Sequence, residues 1–390
     1  MKKHLLCASI IIAAFHLSAE PQSRPADRTK KKQELFLRGE PLDNQFPPAY
    51  NACAAIDVTQ KFCWWPTSIF VDASFLYWHG SEEGLSLASN GVLNGGNLYL
   101  TPNTATVFQS FGFKPGFQVG LGAVTRDKWV IYSEYTWLRG SETTSRTPSP
   151  SRISTAGIAT ATASTGTPVF VVDDWFIQGT SNGQALAGSR IASKWQYGLD
   201  FLDVTASRPF YQGRNVTVTP YAGVRGALIR QRMKVTLNES TGLSGITPPS
   251  SPIASTNKSS SWGLGPRVGF DGTCLLPMGF RFEGDFAANL LFTRYTTISH
   301  KEDAASTTFN PGPYITRWHG YNCLRPIAEV GLGFGWGRYL ACKNYHIDFS
   351  ALYDFTLLWE QNVIRMLLDR TLTGTSPSAT DMAFHGLTLG

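Results

Sequence analysis

The sequence predicts an all-β chain that folds into a transmembrane, antiparallel, up-and-down β-barrel of about ten strands. Three observations carry this prediction: an export signal at the start, long stretches in which apolar and polar residues alternate, and connections that alternate between short and long.

The export signal comes first. Met1-Lys2-Lys3-His4 precedes an apolar run from Leu5 to Phe15, followed by Leu17-Ser18-Ala19. A basic start, a short apolar core and a small residue before the cut describe a secretory signal peptide, assigned to residues 1–19. The run is shorter than the roughly 20 apolar residues a spanning helix requires. No second long apolar segment follows, which excludes a helical membrane protein. Residues 20–66 are rich in Pro, Lys and Ala without a steady period and read as a periplasmic arm; the barrel is assigned to 67–390.

Composition points the same way. Charged residues make up 16% of the chain, against roughly 25% in an ordinary soluble protein. Aromatics make up 13%, including 11 Trp and 14 Tyr, as expected where rings form girdles at both membrane interfaces. The net charge of +6 comes largely from Lys2, Lys3 and the Arg24–Lys32 stretch. A basic run in an exported tail is a solvated linker, so no nucleic-acid partner is expected.

Five cysteines follow the signal: Cys53, Cys63, Cys274, Cys323 and Cys342. In an oxidising compartment, Cys53 and Cys63 are a candidate disulfide by proximity in sequence. An odd total leaves at least one thiol free or cross-linked between chains. Expected partners are outer-membrane lipid and the barrel-assembly machinery, with a homo-oligomer or a disulfide-linked neighbour left open. No Cys/His spacing suits a zinc site, and Gly263-x-Gly265 lies inside a strand pattern with no following helix. No cofactor is expected.

The strands follow in order. Those near 69–78, 129–138, 194–206 and 381–390 are the least regular. Phe113, Pro115, Phe117, Val119 and Leu121 oppose Lys114, Gln118 and glycines, and Val218–Leu228 turns Tyr221 and Arg225 inward. Trp262, Leu264, Pro266, Val268 and Phe270 oppose Arg267 and Asp271. The clearest stretch sets Phe280, Phe282, Phe286, Ala288, Leu290 and Phe292 against Arg281, Glu283, Asp285, Asn289 and Thr293. Leu324 to Trp336 alternates with Arg325, Glu329 and a row of glycines, and Tyr345 to Phe355 alternates with His346, Asp348, Ser350 and Asp354. Pro115, Pro220, Pro266 and Pro326 read as strand starts or bulges.

Short links fall at Arg126–Lys128, Arg208–Asn215, Cys274–Met278 and Ala341–Lys343; long ones fall near 80–112, 140–192, 231–259, 297–321 and 361–380. Short periplasmic turns and long outer loops are the barrel pattern. Pro168–Val172 with Trp175-Phe176 could add a hairpin to the wall, so twelve strands are the alternative count.

Trp262-Gly263-Leu264-Gly265-Pro266-Arg267-Val268-Gly269-Phe270-Asp271 resembles the Legionella-type major outer membrane protein family, which also occurs in chlamydia-like bacteria. Phe70–Trp78, Pro115–Gly122, Tyr132–Leu138, Asn289–Phe292 and Trp359–Asn362 support the resemblance in the same order, from about residue 53 to the end. The resemblance implies a pore-forming outer-membrane barrel with no cofactor or catalytic group. The chain departs from the pattern at Leu387-Thr388-Leu389-Gly390, where such barrels finish on an aromatic residue.

The expected function is passive passage of small polar solutes or ions. The lumen candidates are Arg225, Arg267, Asp271, Arg281, Glu283, Asp285, Arg325, Glu329, His346, Asp348 and Asp354. In a water-filled lumen such charges select ions; in a narrow barrel they pair and close it. Inward glycines such as Gly331, Gly333 and Gly335 lean towards an open lumen while also permitting close packing. The rival readings are a surface adhesin or closed structural barrel and, further off, a hydrolase using His346, Asp348 and Ser350. Residues two apart on a strand stand about 7 Å from each other, which argues against the hydrolase.

Overall fold

The computed structural model describes residues 68–94, 97–100, 106–125, 128–148, 167–172, 175–176, 187–213, 215–238, 252–303, 313–340, 345–373 and 379–390. The signal peptide and arm assigned from sequence, together with Cys53, Cys63 and Cys342, lie outside these residues.

Ten antiparallel strands form the wall. They are β1 (Ser68–Glu82), β2 (Phe113–Val124), β3 (Val130–Arg146), β4 (Arg190–Ser207) and β5 (Val216–Asn238), then β6 (Ile253–Leu275), β7 (Phe280–Glu302), β8 (Tyr321–Leu340), β9 (Tyr345–Asn362) and β10 (Thr380–Leu389). Each pairs with the next in sequence. β10 returns to β1 with Tyr77 opposite Leu387, and the barrel closes. All ten predicted strands are present. Among the described residues no helix is long and apolar enough to cross a membrane, a test that does not bear on strands.

The wall begins and ends at the same rim, which also holds the short turns. Thr125 N–H donates to the Trp129 carbonyl at 2.8 Å, with Lys128 at φ 64°. Leu276 N–H donates to Phe280 O at 2.8 Å across a turn in which Met278 and Gly279 both hold positive φ. Near this turn rim, alternation turns Ile69, Val71 and Phe75 of β1 outward and exposed. Phe280, Phe286, Leu290 and Phe292 of β7 are likewise exposed. Large apolar side chains on the outside form a belt suited to hydrocarbon, while backbone groups are satisfied within the closed ladder.

Three expectations need correction. Residues 167–172 do not join the wall; they pair with Ser86–Asn94 in a separate small sheet that also includes 97–100, 106–108 and 187–188. Every wall strand already has two neighbours, so no edge remains to accept a hairpin. The prolines lie inside strands without bulges. Pro115, Pro220 and Pro326 each fall one residue before the ladder to one neighbour begins. Pro266 leaves a gap in the β6–β7 ladder without shifting its register. A missing N–H is tolerated at these interruptions.

The third correction concerns length. β3, β5, β6 and β7 run well past the predicted limits at the rim carrying the long loops. In this extension alternation persists but its phase inverts. On β5, Val224 and Leu228 face outward, whereas Ile229, Met233, Val235 and Leu237 are buried inward and Arg230, Arg232 and Lys234 are exposed. The inward apolar residues join Trp78, Leu138, Trp195, Leu199, Leu291 and Phe384 in one core. Chain from the long loops fills the rest of it: Leu85, Leu87, Phe170, Trp175 and Phe176, with Ile364 and Leu368 of helix α1 (Ile364–Thr373). Trp175 Nε1 donates to the Ser86 carbonyl at 2.6 Å. Leu367 of α1 packs with Tyr295 and Ile298 of β7. The barrel is therefore plugged by a hydrophobic core at its loop end.

Candidate functional site: the charged chamber

Below the plug the interior changes character. A cavity of about 820 Å³ reaches the turn rim at Ser207, Thr273 and Gly390 and is bounded above by Trp78 and Phe201. Inward positions of eight strands place charge around it: Asp72, Glu134, Asp203, Arg225, Arg267, Asp271, Glu283, Asp285, Glu329, Asp348 and Asp354. These are nine carboxylates and two guanidinium groups.

The two arginines sit at the top of the chamber. Arg225, its side chain 3% exposed, forms a two-point pair with Asp203 at 2.5 and 2.6 Å and also bonds Glu329. Arg267 bonds Glu329 at 2.5 Å, donates to Asn289 Oδ1 at 3.2 Å, and lies 3.8 Å from Asp203. The Arg225 guanidinium also stacks 4.3 Å from the Phe201 ring centroid. Planar forks suit such bidentate, partly desolvated pairing. This four-member network crosses the lumen between β4, β5, β6 and β8 and forms the floor of the plug.

Lower down the charges are less balanced. Arg281 holds Asp348 bidentately at 2.5 and 2.7 Å and also bonds Glu283. Tyr132 donates to Asp72 at 2.8 Å and stands 3.1 Å from Glu134. Asp354 accepts from Thr388 Oγ1. Asp271 and Asp285 are directly opposite one another on β6 and β7 and line the cavity without an ion pair among the described residues.

Ten of the eleven lumen candidates can be placed. Arg225, Arg267, Asp271, Glu283, Asp285, Glu329, Asp348 and Asp354 line the chamber, and Arg281 adjoins it through its two partners. Arg325 also faces inward, but outside the chamber, bonded to Glu360 at 2.6 Å and 5.8 Å from the Tyr295 ring. The His346 side chain lies outside the described residues. The sequence reading missed Asp72, Glu134 and Asp203. Their signal was present, since Ile69-Val71-Ala73, Ile131-Ser133-Tyr135 and Leu202-Val204 put these acids on the opposite face.

The inward glycines do not open a channel. A Cβ on Gly331 would strike the Asp285 and Asp354 carboxylates, and one on Gly335 would strike the Arg281 guanidinium. They make room for the charges. Gly333 has backbone against it, where a Cβ would land on the Ala351 carbonyl.

The family model described as the Legionella pneumophila major outer membrane protein precursor matches residues 67–390, which is the whole barrel. The chain belongs to this family. It is a bacterial outer-membrane barrel, a class in which short turns are generally periplasmic and long loops face outward. Similar solved structures include the outer-membrane protease OmpT from Escherichia coli, at 11% identity over 82% of this chain and 94% of that one, with a TM-score of 0.37. A major outer membrane protein from Thermus thermophilus is 14% identical over 64% of this chain and 85% of that one, with a TM-score of 0.21. The toluene transporter TodX from Pseudomonas putida is 8% identical over 85% and 90%, with a TM-score of 0.19. At these scores none carries an argument about activity. No curated protein matches the sequence. Of the residues considered for a hydrolase, Asp348 is engaged by Arg281 and the Ser350 backbone pairs with Gly390.

Proposed function

We propose that this protein is a gated outer-membrane pore for small hydrophilic solutes, preferring cations, and shut in the conformation described. The observation that carries the reading is the chamber itself, with nine carboxylates against two lining arginines and the adjoining Arg281, beneath an apolar lid. Fixed charge of one sign in a wet lumen favours ions of the other, and a hydrophobic constriction gates by excluding water. Conduction then requires the lid to move, and α1, supplied by the loop between β9 and β10, is the element to move. No residue is assigned bond-breaking chemistry.

The test is single-channel recording in planar bilayers with the refolded protein. Wild type gives rare openings, with a reversal potential in a KCl gradient that favours potassium. Leu367→Ser combined with Leu368→Ser on α1 raises open probability by ~tenfold or more, the ratio equivalent to ~1.4 kcal/mol of lost lid packing. A double variant that folds, by its heat-modifiable gel mobility, yet stays silent would support the runner-up, a closed structural barrel.

A further inference from the structure

The outward face of the inverted extension carries a cluster of like charge. Arg230, Arg232 and Lys234 project outward from β5 and are exposed, alternating with buried Ile229, Gln231 and Met233. The register sets Lys234 directly opposite Lys194 of β4 and Arg232 directly opposite Lys258 of β6. Directly opposed residues bring their Cβ atoms to about 5 Å, where like charges repel. None of these five cations makes an ion pair among the described residues. Their neighbours leave the surface open, for Arg230 lies between Gly198 and Ser260. One pair lower, Asp200 offers no relief, since Arg139 holds it bidentately at 2.7 Å and Tyr135 donates to it at 2.8 Å.

A field of five unpaired cations about 10 Å by 13 Å, built in two like-charge cross-strand pairs, is stabilised by a multivalent anion. Its height on the wall identifies which anion. The apolar belt ends immediately below it, with Leu228, Leu202, Leu264 and Trp262 exposed on the same face. The cluster points away from the lumen, so a permeating solute does not meet it. What does meet a wall at this height is the outer-leaflet headgroup layer.

We infer that this face is a docking site for a phosphorylated lipid of the outer leaflet. Its phosphates lie among Lys194, Arg232, Lys234 and Lys258, and its acyl chains run down the belt over Leu228 and Leu264. Arginine forks and lysine ammonium groups bind phosphate oxygens through charge-assisted hydrogen bonds, and basic clusters beside an apolar span recognise anionic headgroups. The site adds no gating role and stands whether or not the lumen conducts.

The test uses the full-length refolded protein in neutral detergent micelles, with binding followed by native mass spectrometry and by the shift in thermal unfolding. Lipid A carrying both phosphates is the probe; the same lipid without phosphates and inorganic pyrophosphate are the two controls. The variant is R232Q/K234Q/K258Q, whose three side chains are exposed, and K128Q, at the turn rim on the opposite end of the barrel, is the off-site control. Phosphorylated lipid should bind and raise the unfolding temperature, with binding weakened by salt. The triple variant should lose at least ~tenfold in affinity, a conservative figure for three surface charges, while K128Q should not. Equal binding of the lipid with and without phosphates would overturn the inference, as would an unchanged triple variant. Pyrophosphate binding as tightly as the lipid would also overturn it, by making the site one for a soluble anion.

Discussion

The lower and upper halves of this barrel wall are built on opposite plans. Around β5, the lower half turns Val224 and Leu228 to the outside and Arg225 to the inside. Just above, Ile229, Met233 and Val235 go inside and Arg230, Arg232 and Lys234 outside. The neighbouring strand β4 follows suit: Leu202 and Val204 are exposed below, while Trp195 and Leu199 are fully buried above. One half is organised for hydrocarbon outside and water within. The other is organised as a soluble barrel, with water outside and a packed core within. The strands are continuous through the change, so what differs is the solvent each level meets and not the backbone. The hollow, charged chamber and the filled lid are consequences of that difference.

The sharpest way to break the comparison is to put a charge into the packed half and remove one from the hollow half. Met233→Asp sets a carboxylate among fully buried apolar groups and should cost about 4–5 kcal/mol, whereas Asp285→Asn in the chamber should shift stability by no more than about 1 kcal/mol. Urea unfolding of the two variants in the same micelle decides it, and comparable losses would contradict the division into core and chamber. Next in size is the floor between the halves. Arg225→Met leaves Asp203 and Glu329 facing each other with less compensation, at an expected cost of about 3–5 kcal/mol. Adding Asp203→Leu should recover part of that loss in the same assay. A smaller effect tests the outside. Phe286→Arg, on the belt, should destabilise by about 2–4 kcal/mol when unfolding is followed in lipid vesicles. If Phe286→Arg were neutral there, the belt would not be where the bilayer lies.

Much of the lower half was legible because its signal is local. On β7 the set Phe280, Phe282, Phe286, Leu290 and Phe292 opposes Arg281, Glu283 and Asp285, and the structure keeps every one of them on its expected side. Asp72, Glu134 and Asp203 obey the same alternation on strands whose outward residues are smaller or mixed, which is why their signal was faint. The inversion above Leu228 was also written in the chain, as Ile229-Gln231-Met233-Val235-Leu237 against three cations. A period of two survives the inversion unchanged, and by itself it does not say which face meets which solvent.

The sequence by itself determined the antiparallel order of the wall, a count of about ten strands, the turn rim and most of the charges that face inward at the level of the belt. Each of these follows from neighbours two residues apart or from the length of a connection. Only the tertiary structure decided that the lumen is plugged, that Arg325 sits outside the chamber, and that Lys194, Arg232, Lys234 and Lys258 crowd together. The plug gathers Leu85, Phe170, Trp175 and Leu368 from three separate loops, and the cation cluster depends on the register between β4, β5 and β6. Burial and cross-strand register join residues far apart in the chain, and no local period encodes that encounter.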